Sequence, residues 1–392
     1  MAFAAGSEHG LSYIAESVFG TTPTPTPAMV YLRHTSCNLI LTKDTFQSEE
    51  LRDDRQISDF RHGVKQVKGD IGFELSYGEY DPFLEAALGG TWAAPYNLTA
   101  QSLTVVKTAK TFARTVAGNF ITDGVSAGDI ITTTGFADTE NNGTFRVVTV
   151  AANLITVMLI AGSPVLKDVV DDTGCTIATS SNILKAGILD KWFTFERRFG
   201  DIVQYGVFTG CSISDMTLSI APNKIVTGKF GIVGKDGTYS AVTLKASPTA
   251  SQINSPYDSF SGVLQEGGAA LALVTALELK LDNSVEPNFV VGSNTTPALS
   301  PGRSNLTGSV DLFFQDLAML NKFINETESS LDVVLGDVTA DKCIAITIPR
   351  IKYGGADNAV SNEKPIVMKM PFQALYDSTS LTNIQIRRML AA

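Results

Sequence analysis

Histidine, tryptophan and cysteine are scarce in this 392-residue chain, and each scarcity excludes something. The three histidines, His9, His34 and His62, have no metal-ligand spacing to one another or to a cysteine. Cys37, Cys175, Cys211 and Cys343 stand far apart in apolar, strand-like stretches and form no C-x-x-C pair. They read as buried, reduced thiols, not as a disulfide or zinc framework. Charge is low as well: 18% of residues are Asp, Glu, Lys or Arg, against about 25% in a typical soluble domain. Such a shortfall suits a surface that meets other copies of itself. The net charge of −10 and the lack of any basic run argue against holding nucleic acid through its phosphates. An acidic wall that repels DNA and lets it slide stays compatible with that balance. No apolar run approaches the ~20 residues needed to cross a bilayer. Residues 1–10 lack the basic and apolar regions of a signal peptide. The expectation is synthesis in a cytoplasm, with no membrane partner.

Catalytic signatures are missing too. There is no G-x-S-x-G elbow, no P-loop and no dinucleotide G-x-G-x-x-G. Gly234-Lys235-Asp236-Gly237 reads as a turn after a strand. Glu49, Glu50, Asp53 and Asp54 alternate with Arg52 and Arg55, as in a solvated loop that pairs its own charges. Asp168, Asp171 and Asp172 lack the spaced ladder and closing Glu of a calcium loop. The sequence therefore predicts no enzyme, no metal site and no cofactor.

What the chain does have is period-two alternation. Val67, Gly69, Ile71, Phe73 and Leu75 point one way, while Gln66, Lys68, Asp70, Gly72 and Glu74 point the other, which predicts a strand with one dry and one wet face. Asp81-Pro82 then opens a short helix with Phe83, Leu84, Ala87 and Leu88 as its stripe, closed by Gly89-Gly90. The same order recurs later. Leu277, Leu279 and Leu281 alternate with Glu278, Lys280 and Asp282; a long loop follows, then a strand around Gly308, then a helix led by Asp316 with Leu317, Leu320, Phe323 and Ile324. Three further β-like runs follow each helix. The expected fold is mainly β: two duplicated β-sandwich domains, each with a short helix, plus an inserted small all-β domain. The first domain spans 1–92 and 186–245, with residues 1–30 as an arm whose stretch 21–27 reads TTPTPTP. Residues 93–185 form the insertion, where Asn141-Asn142-Gly143 signals a hairpin; 246–261 is a linker and 262–392 the second domain.

Several of these segments resemble one family, the major tail tube proteins of siphophages. The carriers are Lys68-Gly69-Asp70-Ile71-Gly72-Phe73-Glu74-Leu75 leading into Tyr80-Asp81-Pro82-Phe83-Leu84, and Phe208-Thr209-Gly210-Cys211-Ser212-Ile213 leading into Val226-Thr227-Gly228-Lys229-Phe230. In the second half they are Leu279-Lys280-Leu281-Asp282-Asn283, Leu306-Thr307-Gly308-Ser309-Val310 and Ala374-Leu375-Tyr376-Asp377. The resemblance implies β-sandwich units whose rings stack into a hollow tube, with long hairpins lining the bore and genomic DNA passing without specific binding. It places the chain in the virion tail, with tape measure, terminator and tip proteins as further partners. With the duplication, three chains would make a pseudo-hexameric ring; a true hexamer is the alternative. By alternation the bore-facing residues are Gln66, Lys68, Asp70 and Glu74, then Glu278, Lys280, Asp282, Thr307, Ser309 and Asp311. The loops 48–61 and 286–303 are long for hairpins. They are expected to meet the next ring, the first through Glu49, Glu50, Arg52, Asp53, Asp54 and Arg55. Another virion or surface protein, such as a decoration protein or adhesin, is the competing reading.

Overall fold

Alternation of apolar and polar side chains sends most of this chain into antiparallel ladders. The computed structural model is mainly β, with two α-helices among the described residues. It describes every residue except 1–2, 25–28, 127–128, 160–162, 180, 260–262, 268, 272, 337–341, 359, 361–362, 364 and 390–392. The chain enters with β1 (His9–Glu16), β2 (Val30–Tyr31), β3 (Ser36–Cys37), β4 (Ile40–Gln47), β5 (Phe60–Glu74) and α1 (Asp81–Leu88). It continues through β6 (Asn97–Val106), β7 (Thr111–Arg114), β8 (Ile130–Thr134), β9 (Gly143–Val150), β10 (Leu154–Leu159), β11 (Val169–Thr179) and β12 (Ser181–Lys185). Next come β13 (Trp192–Phe199), β14 (Gln204–Ile220), β15 (Thr227–Gly234), β16 (Asp236–Ser240), β17 (Val263–Glu266), β18 (Ala269–Ala270) and β19 (Val274–Asp282). The last stretch holds β20 (Glu286–Asn288), β21 (Ala298–Ser300), β22 (Asn305–Phe313), α2 (Ala318–Ile324), β23 (Ser329–Leu335), β24 (Ile344–Tyr353), β25 (Val367–Ala374) and β26 (Gln385–Met389). Two compact units result. Met1–Gly90, Gly187–Tyr257 and Glu278–Thr307 form the first; Thr91–Ala186, Asp258–Leu277 and Gly308–Ala392 form the second.

In the first unit β4, β5, β15 and β14 pair in succession, and β14 also joins β13 and β16. Helix α1 starts with Pro82 in its first turn and ends on Gly89 in the left-handed region, φ +62°. The residue at its N-cap is Tyr80, and Asp81 lies one step inside, where its charge still meets the positive end of the helix. The helix buries Phe83 against Phe193 (ring centres 5.0 Å), Phe195 (5.8 Å) and Phe230 (5.6 Å), and Phe73 stacks on Phe230 at 4.3 Å. This aromatic plug covers one face of the sheet and leaves the other wet. At Gly69 the backbone takes φ +150°, and any side chain would stand 2.7 Å from the Asn38 carbonyl. Residues 9–16, assigned by sequence to an arm, pair along their length with β13, from His9 opposite Phe199 to Glu16 opposite Trp192. Leu11 and Ile14 are buried there. Of the TTPTPTP stretch, residues 25–27 lie outside the described residues.

The second unit contains a closed six-stranded barrel in the order β10-β7-β6-β11-β8-β9. Its core is Phe112, Phe120, Phe145, Ile131, Ile155 and Ile177, each fully buried. The hairpin signalled by Asn141-Asn142-Gly143 forms, joining antiparallel β8 and β9, but through a loop wider than two residues. Gly143 already pairs with Thr133, and the β8–β9 connection runs from 135 to 142. The Asn142 side chain bonds both Phe136 N and Phe136 O, so the amide closes a wider loop instead of a tight turn.

The rest of the second unit repeats the strand order of the first. β17 pairs β23, β23 pairs β24 and β24 pairs β25, as β1 pairs β13, β13 pairs β14 and β14 pairs β15. The amide of Leu75 bonds Val226 O at 2.9 Å, and that of Phe314 bonds Ile366 O at 3.0 Å. Those bonds make Leu75 and Phe314 counterparts, and Gly69 and Gly308 stand equally far before them. Ser212 opposite Val233 likewise matches Lys352 opposite Gln373. Helix α2 is less embedded than its alternation suggests. Met319 is buried, but Leu317 and Ile324 are more than half exposed, because a seven-residue helix has too few turns for a full stripe.

A buried charged pair ties the barrel to this repeat. Arg387 Nε donates to Asp129 Oδ1 at 2.6 Å, and both side chains are fully enclosed. Asp129 Oδ2 also accepts from Tyr96 Oη (3.0 Å) and Ser126 N (2.7 Å), while Arg387 reaches Thr347 Oγ1 at 2.9 Å. Burial and the Asp129 carboxylate hold the Tyr96 phenol far above its usual range, so it stays a donor.

Candidate functional site: the wet face of the first unit

The face of the sheet opposite α1 is assembled by register. Asp70 stands opposite Gly231, and Gly231 opposite Asp215, so two carboxylates flank a glycine across three strands. The Asp215 carboxylate lies over Gly231; a methyl there would meet its Oδ2 at 2.0 Å. One step along, Lys229 stands opposite both Gly72 and Thr217. On the far side of β14 runs β19, where Asn283 N donates to Ser214 O at 2.8 Å. β19 brings Glu278, Lys280 and Asp282 to the wet side, while Leu279 and Leu281 are buried.

Of the residues that sequence reading placed here, Lys68, Glu278 and Lys280 are exposed, and Asp70, Glu74 and Asp282 are half-buried within the first unit. Thr307 is half-buried in the same unit, its hydroxyl donating to Lys280 O at 3.5 Å. Gln66 is buried, as is Ser309; Ser309 and the half-buried Asp311 belong to the second unit. Asp215, Thr217, Thr227 and Lys229 lie on this face as well, where sequence reading did not place them. Their signal was weak alternation in β14 and β15, and their membership depends on pairings between segments distant in the chain.

Carboxylates outnumber ammonium groups on this face. Burial raises the Asp215 carboxyl above the ordinary range, and the Asp70 and Asp282 charges raise it further, with Lys280 opposing. A raised folded-state carboxyl lends stability at low pH that is lost as pH rises through its folded value. Asp215→Asn is therefore expected to stabilise the first unit at neutral pH. Urea unfolding at about pH 5 and about pH 7 checks this, because the variant should gain more at the higher value.

The β4–β5 hairpin ends in the loop predicted to meet another ring. Glu49, Glu50, Arg52, Asp53, Asp54 and Arg55 are all exposed, and Arg52 pairs with Asp54 through two bonds of 2.9 and 2.7 Å. Such surface pairs contribute little alone. The same tip exposes Leu51 completely and Ile57 by 65%, and the counterpart loop fully exposes Val291.

Elsewhere the side chains are engaged with one another. A cleft of about 790 Å³ in the second unit is lined by Arg146, Glu328, Asp332, Arg350, Asp377 and Ser380 among others. Arg146 pairs with Asp332, Arg350 with Glu328, and Asp377 caps Ser380. Asp168, Asp171 and Asp172 each accept from a protein donor, namely Lys107 N, Thr115 Oγ1 and Ala137 N. Among the described residues no group of three His, Cys, Asp or Glu could hold a metal ion. No described helix is long and apolar enough to cross a membrane. A family model described as phage tail tube protein matches residues 6–374. No curated protein matches the chain.

Proposed function

The chain belongs to the phage tail tube protein family, and on that premise we propose that its two repeats let three copies close one six-unit ring of the tube. It is a structural subunit of the virion tail, and it stacks with itself into that tube. The carrying observation is β19 lying beside β14 inside the first unit. In the repeat, β4 is the counterpart of β19, and β24 that of β14. The ladder of β4 is with β5, and its outer edge faces no further strand among the described residues. An open strand edge is a template for another chain. In the ring, β4 of one copy lies beside the end of β24 of the next. Counted along the matched strands, with Ile40 opposite Lys68 as Lys280 meets Thr307, Lys43 takes the place of Asn283, and Gly354 that of Ser214.

In this reading the first tube domain is 1–92 with 186–245, the barrel 93–185 decorates the outside, 246–261 links, and 262–392 is the second domain. The wet face lines the bore, with Lys68, Asp70, Glu74, Glu278, Lys280 and Asp282 joined by Asp215 and Lys229. Its acidic excess keeps DNA from adhering as it passes. The subunit is made in the host cytoplasm and works without catalysis or a cofactor. Its neighbours are the tape measure protein within the bore and terminator or tip proteins at the ends. Loop 48–61 meets the next ring, so Asp53→Lys with Asp54→Lys is expected to weaken stacking, seen as shorter tubes in negative-stain microscopy. The test of the whole reading is electron microscopy with mass measurement on discrete rings. Three-chain rings are the expected result, six-chain rings overturn the stoichiometry, and a protein that never assembles overturns the function.

A further inference from the structure

We propose that His9, His34 and Arg197 form a proton-operated clasp, which in its neutral state holds β1 and the returning chain at residues 32–34 against β13 and which opens on taking up one proton. Hydrogen-bond direction carries the inference. Arg197 Nε is a permanent donor and lies 3.1 Å from His9 Nε2, so that nitrogen is an acceptor. Neutral His9 then keeps its proton on Nδ1 and donates it to His34 Nε2 at 2.8 Å. His34 in turn carries its proton on Nδ1 and donates to Leu32 O at 3.1 Å. Each ring nitrogen has one role, and the tautomers follow from the fixed guanidinium.

A further proton has no free place in this chain of bonds. On His34 Nε2 it points at the Nδ1–H of His9 across a 2.8 Å gap. On His9 Nε2 it points at the Arg197 N–H and sets two cations side by side. Either position breaks a bond that joins separate segments. The elements around the pair bring no compensating carboxylate among the described residues. Glu196 is turned to Thr243 and Leu244 N, and Asp201 accepts from Ala5 N. Arg33 is held by Gln252 O and Asn254 O, Glu79 accepts from Arg33 N and Gln252 N, and exposed Arg198 leans on Tyr31. Glu8 is exposed, and the Cys37 thiol is kept protonated by burial. His9 and Arg197 also share the Phe199 ring, at 5.5 and 5.2 Å. Consistent with this geometry, burial and then Arg197 and His34 lower His9 from 6.5 to about 4.

The sign follows from that lowering. A histidine whose folded value lies below its unfolded one costs the fold nothing above about pH 6.5, and stability is lost as pH falls from there toward 4. A gap of that size corresponds to a shift of about 300-fold in the closing equilibrium at full protonation. The clasp also reaches the ring edge, because Arg197 Nη1 donates to Leu39 O at 2.6 Å, just before β4. The claim itself concerns the single chain and does not depend on ring formation.

Hydrogen exchange with mass spectrometry on the full-length, unassembled chain tests it, between about pH 7 and about pH 4.5. After correction for intrinsic rates, peptides covering β1 and residues 30–34 are expected to lose protection at least about tenfold on acidification. The double variant His9→Gln with His34→Gln, which cannot titrate, is expected to show no such loss. Wild-type protection that stays constant overturns the proposal. So does an equal loss in the variant, or an equal loss in barrel strand β9, since acid would then act on the fold at large. If the variant does not fold, imidazole resonances of the wild type decide: His9 titrating near 4 supports the clasp, and His9 titrating at 6.5 overturns it.

Discussion

Asp129→Ala lowers the stability of the second unit by about 3–5 kcal/mol, because it strands the Arg387 guanidinium in the interior. Both side chains are fully buried, so no water reaches the cation once its partner is gone. The loss spreads, since Tyr96 Oη and Ser126 N also give up their acceptor. At roughly 2–4 °C per kcal/mol for a unit of this size, the midpoint of its thermal transition falls by about 6–20 °C. Arg387→Ala alone is expected to be similarly severe, leaving an unpaired carboxylate. Replacing the pair together, as Asp129→Leu with Arg387→Met, should recover much of the loss, because desolvating two charges offsets most of their attraction. Calorimetry on wild type, Asp129→Leu, Arg387→Met and the double variant closes the cycle. Additive losses in the double variant would show that the pair is not coupled.

Thr45→Pro is expected to abolish tube formation while leaving the chain folded. Ser48 N bonds Asp59 O, so by alternation along β4 the Thr45 amide points away from β5. Proline there removes only an outward donor, which an edge strand tolerates in isolation but a neighbouring chain does not. Sedimentation and electron microscopy should show monomers in place of tubes, with a thermal midpoint within a few degrees of wild type. The companion experiment introduces cysteines by Lys43→Cys and Gly354→Cys. Oxidation should link different copies and close a three-chain circle. Tubes formed by Thr45→Pro would remove β4 from the interface.

Much of the fold was legible because strand alternation is a local property. Leu279 and Leu281 are buried and Lys280 exposed as period two dictates, and Pro82 and Gly89 mark the ends of α1 as their backbone preferences require. The repeat was legible too, since Gly69 and Gly308 recur in strands of the same type before their helices. Asn141-Asn142-Gly143 marked the β8–β9 hairpin but not its loop length, because the Asn142 side chain found backbone partners at Phe136, which no dipeptide rule contains.

By itself the sequence determined which faces are wet, where α1 begins and ends, and that the chain carries no recognised catalytic constellation. Those properties depend on neighbours within a few residues. Tertiary structure alone decided that Asp215 and Lys229 join Asp70 and Lys280 on one face, that Asp129 meets Arg387, and that His9, His34 and Arg197 converge. Each of those meetings joins residues far apart in the chain, where ladder register, and no local preference, sets which side chains come together.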